Sequence, residues 1–173
     1  MQETTTHALV LDIVQTGEHD ARVTLYTEAA GKLVARAKSL YKPQSKLAAH
    51  LQPLTIAHVR LVEKKGMQIV DALALRRYGD VDKGATATVE LLATLKLLTE
   101  LTTAHQPDRE LWGLIAGGKL VSSSLLKALG FDPEHARCDR CHGERPSHFL
   151  LRDTVYLCRD CFVIARVPGG LVV

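Results

Sequence analysis

Four cysteines offer the sharpest chemistry in the chain. Cys138 and Cys141 form one C-x2-C pair, and Cys158 and Cys161 form a second after 16 intervening residues. These are all the cysteines of the 173-residue sequence. Two close pairs can each fold into a tight knuckle, and the span between them lets both knuckles close on one tetrahedral ion. Soft thiolates select Zn²⁺ over harder cations. Four protein ligands leave no position open for water or substrate, so a zinc here is expected to be structural. A dithiol redox pair fits less well, because no thioredoxin-like βαβ pattern flanks either pair. Gly143 is expected to supply the turn of the first knuckle. Arg140, Arg145, Arg152 and Arg159 would offset the formal negative charge of a zinc–thiolate centre. His142 and His148 read as surface residues.

A second chemical signal is a matter of charge. From Ala29 to Val62 there is no Asp or Glu, against six cations: Lys32, Arg36, Lys38, Lys42, Lys46 and Arg60. Solvated surfaces usually mix both signs, so a long acid-free run suits contact with a polyanion. Residues 32–38 alternate with period two. As a strand they send Leu33, Ala35 and Ala37 inward and place Lys32, Arg36 and Lys38 on one outer face. A solvated edge strand with protective lysines would look similar. Tyr41, between Lys38 and Lys42, is the best candidate for stacking on a base, since few other aromatics lie nearby. Residues 1–79 hold 11 Lys/Arg against 7 Asp/Glu, whereas residues 80–137 hold 6 against 8. The polyanion contact is therefore placed in the N-terminal part. Glu18 and Asp20 count against it, because phosphate is repelled by carboxylates.

The elements that must carry these residues follow from the pattern of turns. Residues 7–75 read as five strands, with Leu9, Leu11 and Ile13 alternating in the first. Gly17, Ala30-Gly31 and Lys65-Gly66 mark turns. Ser45 is expected to cap a short helix over 46–51, closed by Pro53. Five short strands with a helix between the third and fourth match the oligonucleotide-binding (OB) barrel, whose ligand face is strands 2–3 with the loops joining 1–2 and 4–5. That face would include Arg22, Tyr26, Lys32, Arg36 and Lys38, with Lys64 and Lys65 in the 4–5 loop. From Asp80 the spacing becomes helical, with Val89, Leu91, Leu92, Leu95, Leu98 and Leu101 on one face and Asp82 or Thr86 as cap. Further helices are expected around 111–115 and over 120–129, the last stopped by Gly130 and Pro133. Phe149–Leu151 and Thr154–Leu157 suit a small hairpin between the knuckles. The expected class is α+β: an OB-fold unit at 1–79, a helical unit at 80–137 and a zinc-knuckle module with its tail at 138–173.

No run of apolar residues is long enough to cross a membrane as a helix. Residues 1–7 lack the basic and apolar parts of a secretion signal. No Gly-rich phosphate loop, H-E-x-x-H or G-x-S-x-G motif occurs, so a binding protein is expected rather than an enzyme. A protein-only adaptor and an RNA-binding factor are the competing classes.

Several segments together carry a family resemblance: Gly17–Thr27, Gly31–Leu33, Ala37-Lys38, Lys42–Pro53, Leu125–Pro133 and the cysteine pairs. The sequence resembles the bacterial recombination mediator RecO family. The resemblance implies binding of single- and double-stranded DNA, annealing of complementary strands, and action with RecR and single-strand-binding protein to load RecA. It also implies a cytoplasmic, nucleoid-associated protein. Carried onto this chain, DNA contact falls on Lys32, Arg36, Lys38, Lys42 and Lys46, with Tyr41 where the family commonly has a basic residue. Arg152-Asp153-Thr154 replaces a glycine pair frequent in the family.

Overall fold

Alternation in the N-terminal part builds a closed barrel. The computed structural model describes residues 2–79, 84–166 and 169–172, with side chains left out at 84–87. The strands are β1 (Gln2–Thr16), β2 (Asp20–Thr27), β3 (Gly31–Ala37), β4 (Thr55–Glu63) and β5 (Met67–Arg77). They close in the order β1-β2-β3-β5-β4. Every neighbouring pair is antiparallel except β3 and β5, which join in parallel over Arg36–Gln68 and Ala37–Ile69. This is the OB strand order. Small residues fill the lumen, among them Ala8, Ala21, Ala35, Ala37 and Ala57, as a narrow five-stranded barrel requires.

The connection from β3 to β4 differs from expectation. Residues 46–51 form bends and turns rather than a helix, with the Leu47 carbonyl accepting from both His50 N–H and Leu51 N–H. Ser45 makes no capping bond. Prolines at 43 and 53 confine the segment, and Leu40, Leu47 and Leu51 pack into the lumen core in place of a helix face.

Strand β1 also departs from simple alternation. Val10 pairs with Leu25 and Asp12 with Thr24, so Leu11 is an extra residue in a bulge. Before it, Ala8 and Val10 face the lumen while Leu9 and Leu11 face outward. After it the parity reverses, and Ile13 packs against the lumen. The three alternating residues read from sequence thus serve two different cores.

The second core lies outside the barrel. Leu9, Leu11, Tyr26, Leu54 and Ile56 pack against helices α1 (Gly84–Leu101), α2 (Arg109–Ala116) and α3 (Ser122–Ala128). Leu95 and Leu98 are buried as expected, but Leu97 is buried too, while Val89 and Leu92 are exposed. Asp82 lies outside the described residues, and Thr86 falls within α1 rather than before it. Asp108 caps α2 by accepting from Leu111 N–H at 2.9 Å. The stop after α3 is as read: Gly130 has φ 87° and Phe131 N–H returns to the Leu126 carbonyl at 2.8 Å.

A small module completes the chain. Strands β6 (His148–Leu150) and β7 (Val155–Leu157) form the expected hairpin. Helix α4 (Arg159–Ala165) follows, and β8 (Leu171–Val172) adds to the other side of β6. Phe149 and Tyr156 join the second core beside Phe131, and the Tyr156 hydroxyl donates to the Phe131 carbonyl. One apolar core therefore includes residues from all three segments distinguished in the sequence. Among the described residues, no helix is long and apolar enough to cross a membrane.

Candidate functional site

The acid-free segment is split by the fold into a covered end and an open end. Leu33, Ala35 and Ala37 do point inward, and Lys32, Val34 and Arg36 outward. Outward is not the same as solvent. At the start of β3, Gly31 has φ 65°, and a Cβ there would lie 2.2 Å from the Gln106 carbonyl oxygen. The chain after α1 presses directly on this hairpin: His105 N–H donates to the Lys32 carbonyl at 2.9 Å. Lys32 Nζ donates to the Thr99 carbonyl at 2.6 Å. That oxygen is one of the unsatisfied carbonyls at the end of α1, where a cation is favoured. Burial lowers the ammonium pKa below the usual lysine value. Tyr26, paired with Lys32 across the hairpin, is buried, and its hydroxyl accepts from Asp108 N–H. Two of the residues expected on a ligand face thus belong to the joint between barrel and helices.

The joint has a second half that sequence reading missed. Arg76 Nη2 donates to the Ile115 and Ala116 carbonyls at 3.2 and 3.0 Å. The Tyr78 hydroxyl also donates to the Ile115 carbonyl. The ends of both α1 and α2 are met by barrel cations. An Arg at the end of a strand gives no sign in sequence of which helix will receive it.

The other end of β3 is open and positive. Arg22 pairs with Arg36 across the hairpin, both exposed. Asp20 accepts from Ser39 N–H at 2.7 Å and from Arg36 Nη2 at 2.5 Å. The Ser39 N–H, then the Arg36 guanidinium, hold the Asp20 carboxyl below its ordinary range. Asp20 is thus tied to the turn that follows β3, where Ser39 has φ 55°. Tyr41 N–H donates to the His19 carbonyl at 3.0 Å, so the 1–2 turn and the segment after β3 are pinned together. The parallel contact of β3 with β5 sets Gln68 and Ile69, just after the 4–5 turn, beside Arg36 and Ala37, and Lys64 and Lys65 in that turn are exposed. Lys38, Lys42 and Lys46 are exposed, and among the described residues none is in an ion pair. Tyr41 is 46% exposed, whereas Tyr26 is buried and Tyr78 and Tyr156 are engaged by their hydroxyls. It is the one described tyrosine free to stack.

The cysteines converge as their spacing demands. All four sulfurs lie within 4.8 Å of one another. Cys141 and Cys158 are 3.7 Å apart, matching the edge of about 3.8 Å for a tetrahedron with metal–sulfur bonds near 2.3 Å. Cys138 N–H bonds to the Gly143 carbonyl and His142 N–H to the Cys138 carbonyl, closing the first knuckle. The left-handed residue is His142 at φ 59°, not Gly143. A Cβ at Gly143 would stand 3.5 Å from the Cys141 sulfur, an ordinary contact, so neither backbone nor space requires glycine there. The second knuckle leads into α4, with Cys158 at its N-cap and Cys161 in its first turn. His148 stacks on Phe162 at 4.0 Å and so stands apart from the sulfur cluster. Burial raises the Cys138 thiol pKa, but the N–H groups of Cys158, Cys141 and Arg140 outweigh it and bring the value to about 6. The Cys161 thiol is pushed up to about 12, first by Cys158 and then by burial. Gly143 N–H favours the Cys141 thiolate, yet the neighbouring thiols prevail and raise it. Four sulfurs this close do not share four negative charges without a cation among them. The donor set can hold a metal ion.

Comparison with known proteins bears on both sites. Residues 1–83 match the family described as Recombination protein O N terminal. The DNA repair protein RecO of Myxococcus xanthus (strain DK1622) is 31% identical over 190 aligned residues, covering 95% of this chain and 77% of that protein. The chain belongs to the RecO family. DNA repair proteins RecO from Thermodesulfovibrio yellowstonii (strain ATCC 51303 / DSM 11347 / YP87) and Nocardioides sp. (strain ATCC BAA-499 / JS614) are 23% and 28% identical, covering 90% and 94% of this chain and 69% and 74% of their own lengths. The RecO N-terminal match takes in the entire barrel, including both ends of β3. The longer alignments carry the RecO relationship on through the helices into the C-terminal module. Membership of the RecO family places the chain in DNA repair by recombination.

Proposed function

We propose that this RecO-family chain is a recombination mediator without catalytic activity, which binds single- and double-stranded DNA at the open end of its barrel. What supports this is that Arg22 and Arg36 pair across the hairpin at the exposed end of β3, that Lys38, Tyr41, Lys42 and Lys46 follow on it as exposed residues, and that the start of β5, just after Lys64 and Lys65, lies beside it. Among the described residues Arg22 and these lysines have no carboxylate partner, whereas Arg36 is paired with Asp20; unpaired cations release counterions from a phosphate backbone, and that release drives binding. Annealing needs little more: screening lowers the repulsion between two strands, and base pairing supplies the specificity. Tyr41 offers one stacking surface, so sequence discrimination is expected to be weak. Lys32 contributes to this site only indirectly, by holding the barrel against α1.

In this reading Cys138, Cys141, Cys158 and Cys161 hold a structural Zn²⁺. The metal supplies cross-linking and charge neutralisation, not chemistry on DNA. Segments 1–79, 80–137 and 138–173 act as one body. The partners are RecR, single-strand-binding protein and, through them, RecA, in the bacterial cytoplasm at the nucleoid. The test is annealing of complementary oligonucleotides, bare and coated with single-strand-binding protein, with RNA of the same sequence as competitor. Acceleration of both DNA reactions supports the reading. Preference for RNA, or no acceleration, contradicts it.

A further inference from the structure

The four cysteines are not equivalent in the fold. Cys138 and Cys161 are buried at 0% and 7% exposure, in a miniature core with Leu150 and Leu157. Cys141 is exposed and Cys158 partly so. The accessible pair belongs to different knuckles, with its sulfurs 3.7 Å apart. A disulfide within either C-x2-C pair would leave the knuckles untied. One between Cys141 and Cys158 would link the same two knuckles that a metal links, across the same 16-residue span.

We propose that Cys141 and Cys158 form a redox switch in which a hydroperoxide replaces the metal by a disulfide while the module keeps its shape. This rests on the zinc reading given above. One thiolate, that of Cys141, attacks a peroxide oxygen, breaking the O–O bond and becoming a sulfenic acid; the other oxygen leaves as alcohol or water after taking a proton. The Cys158 thiolate then attacks the sulfenic sulfur, forming the S–S bond and expelling hydroxide, which is protonated to water. Two thiolates have lost two electrons and the peroxide has gained them. Cys138 and Cys161 alone no longer complete a four-ligand shell, and the metal is released as a divalent cation.

The experiment uses the full chain, reduced and reloaded with zinc chloride, then treated with hydrogen peroxide. Zinc release is followed with a chromogenic chelator. Disulfides are mapped by mass spectrometry of a non-reducing digest, and fold is followed by circular dichroism. Expected are loss of about one equivalent of zinc per chain, a Cys141–Cys158 linked peptide, an unchanged far-ultraviolet spectrum, and zinc uptake again after dithiothreitol. Zinc that stays bound under peroxide, disulfides confined to Cys138–Cys141 and Cys158–Cys161, or unfolding on oxidation would each overturn the switch. Cys141→Ser is expected to abolish the disulfide; should that variant not fold, the map of the unaltered chain decides. A chain that takes up no zinc contradicts the metal reading, and its disulfide map still decides the pairing.

Discussion

The two ends of strand β3 start from the same pattern and finish with opposite roles. At one end Lys32 and Tyr26 are outward-facing residues that the helices cover, and their polar atoms meet the end of α1 and the start of α2. At the other, Arg22, Arg36 and Lys38 are outward-facing residues that nothing covers. A lysine near a helix end is a fastening, whereas Lys38 at the other end is exposed and, among the described residues, in no ion pair. The difference lies in what packs on the wall, not in the wall.

The largest effect should come from spoiling the covered end. Gly31→Ala places a methyl group against the Gln106 carbonyl and forces a left-handed φ on a side-chain-bearing residue. Strain and overpacking together should cost about 3–4 kcal/mol, read by urea denaturation. At the open end, the joint change Lys38→Glu, Lys42→Glu and Lys46→Glu should leave the urea midpoint nearly unchanged. It should weaken binding of a single-stranded oligonucleotide on the order of 100-fold at low salt. Fluorescence anisotropy would report it, and equal weakening by a change at the covered end would erase the distinction between the two ends.

Smaller changes sharpen the same contrast. Lys32→Met keeps the aliphatic stem but removes the donor to Thr99, which should cost about 1 kcal/mol of stability. Its oligonucleotide affinity should stay near that of the unaltered chain. Asp20 tests the open end from the other side. Its carboxyl pKa is depressed in the folded chain, so its stabilisation is present above the unfolded value near pH 4 and fades as pH falls through the folded value. Asp20→Asn should flatten that acidic limb of the stability curve. A limb of unchanged steepness would show that Asp20 does not hold the turn at Ser39.

Much of this was legible in the sequence. Alternation located the strands and the lumen side of β3, Gly130 located the stop of α3, and the cysteine spacing located a four-sulfur cluster. What escaped has physical causes. The bulge at Leu11 changes the parity of β1, and period-two reading carries no mark of an extra residue. Alternation also separates in from out without saying what lies outside, so from sequence Lys32 reads as available and Tyr26 as suited equally to the ligand face or to packing within the barrel, whereas α1 and α2 cover both. Asp20 looked like an obstacle to phosphate because its tie to Ser39 N–H is a backbone contact between separate turns. In the first knuckle the left-handed φ belongs to His142, a residue type not reserved for such turns, one position before the glycine that drew attention.

Contact of the barrel's open end with a phosphate backbone would be electrostatic, and salt tests it most directly. Affinity for a single-stranded oligonucleotide should be measured from low to moderate salt for the unaltered chain and for the Lys38, Lys42 and Lys46 charge reversal. Log affinity should fall linearly with log salt in the unaltered chain, and the reversal should lower the slope by about 2, near 0.7 for each lost phosphate contact. Identical slopes, or binding that ignores salt, would contradict a phosphate-binding end of the barrel.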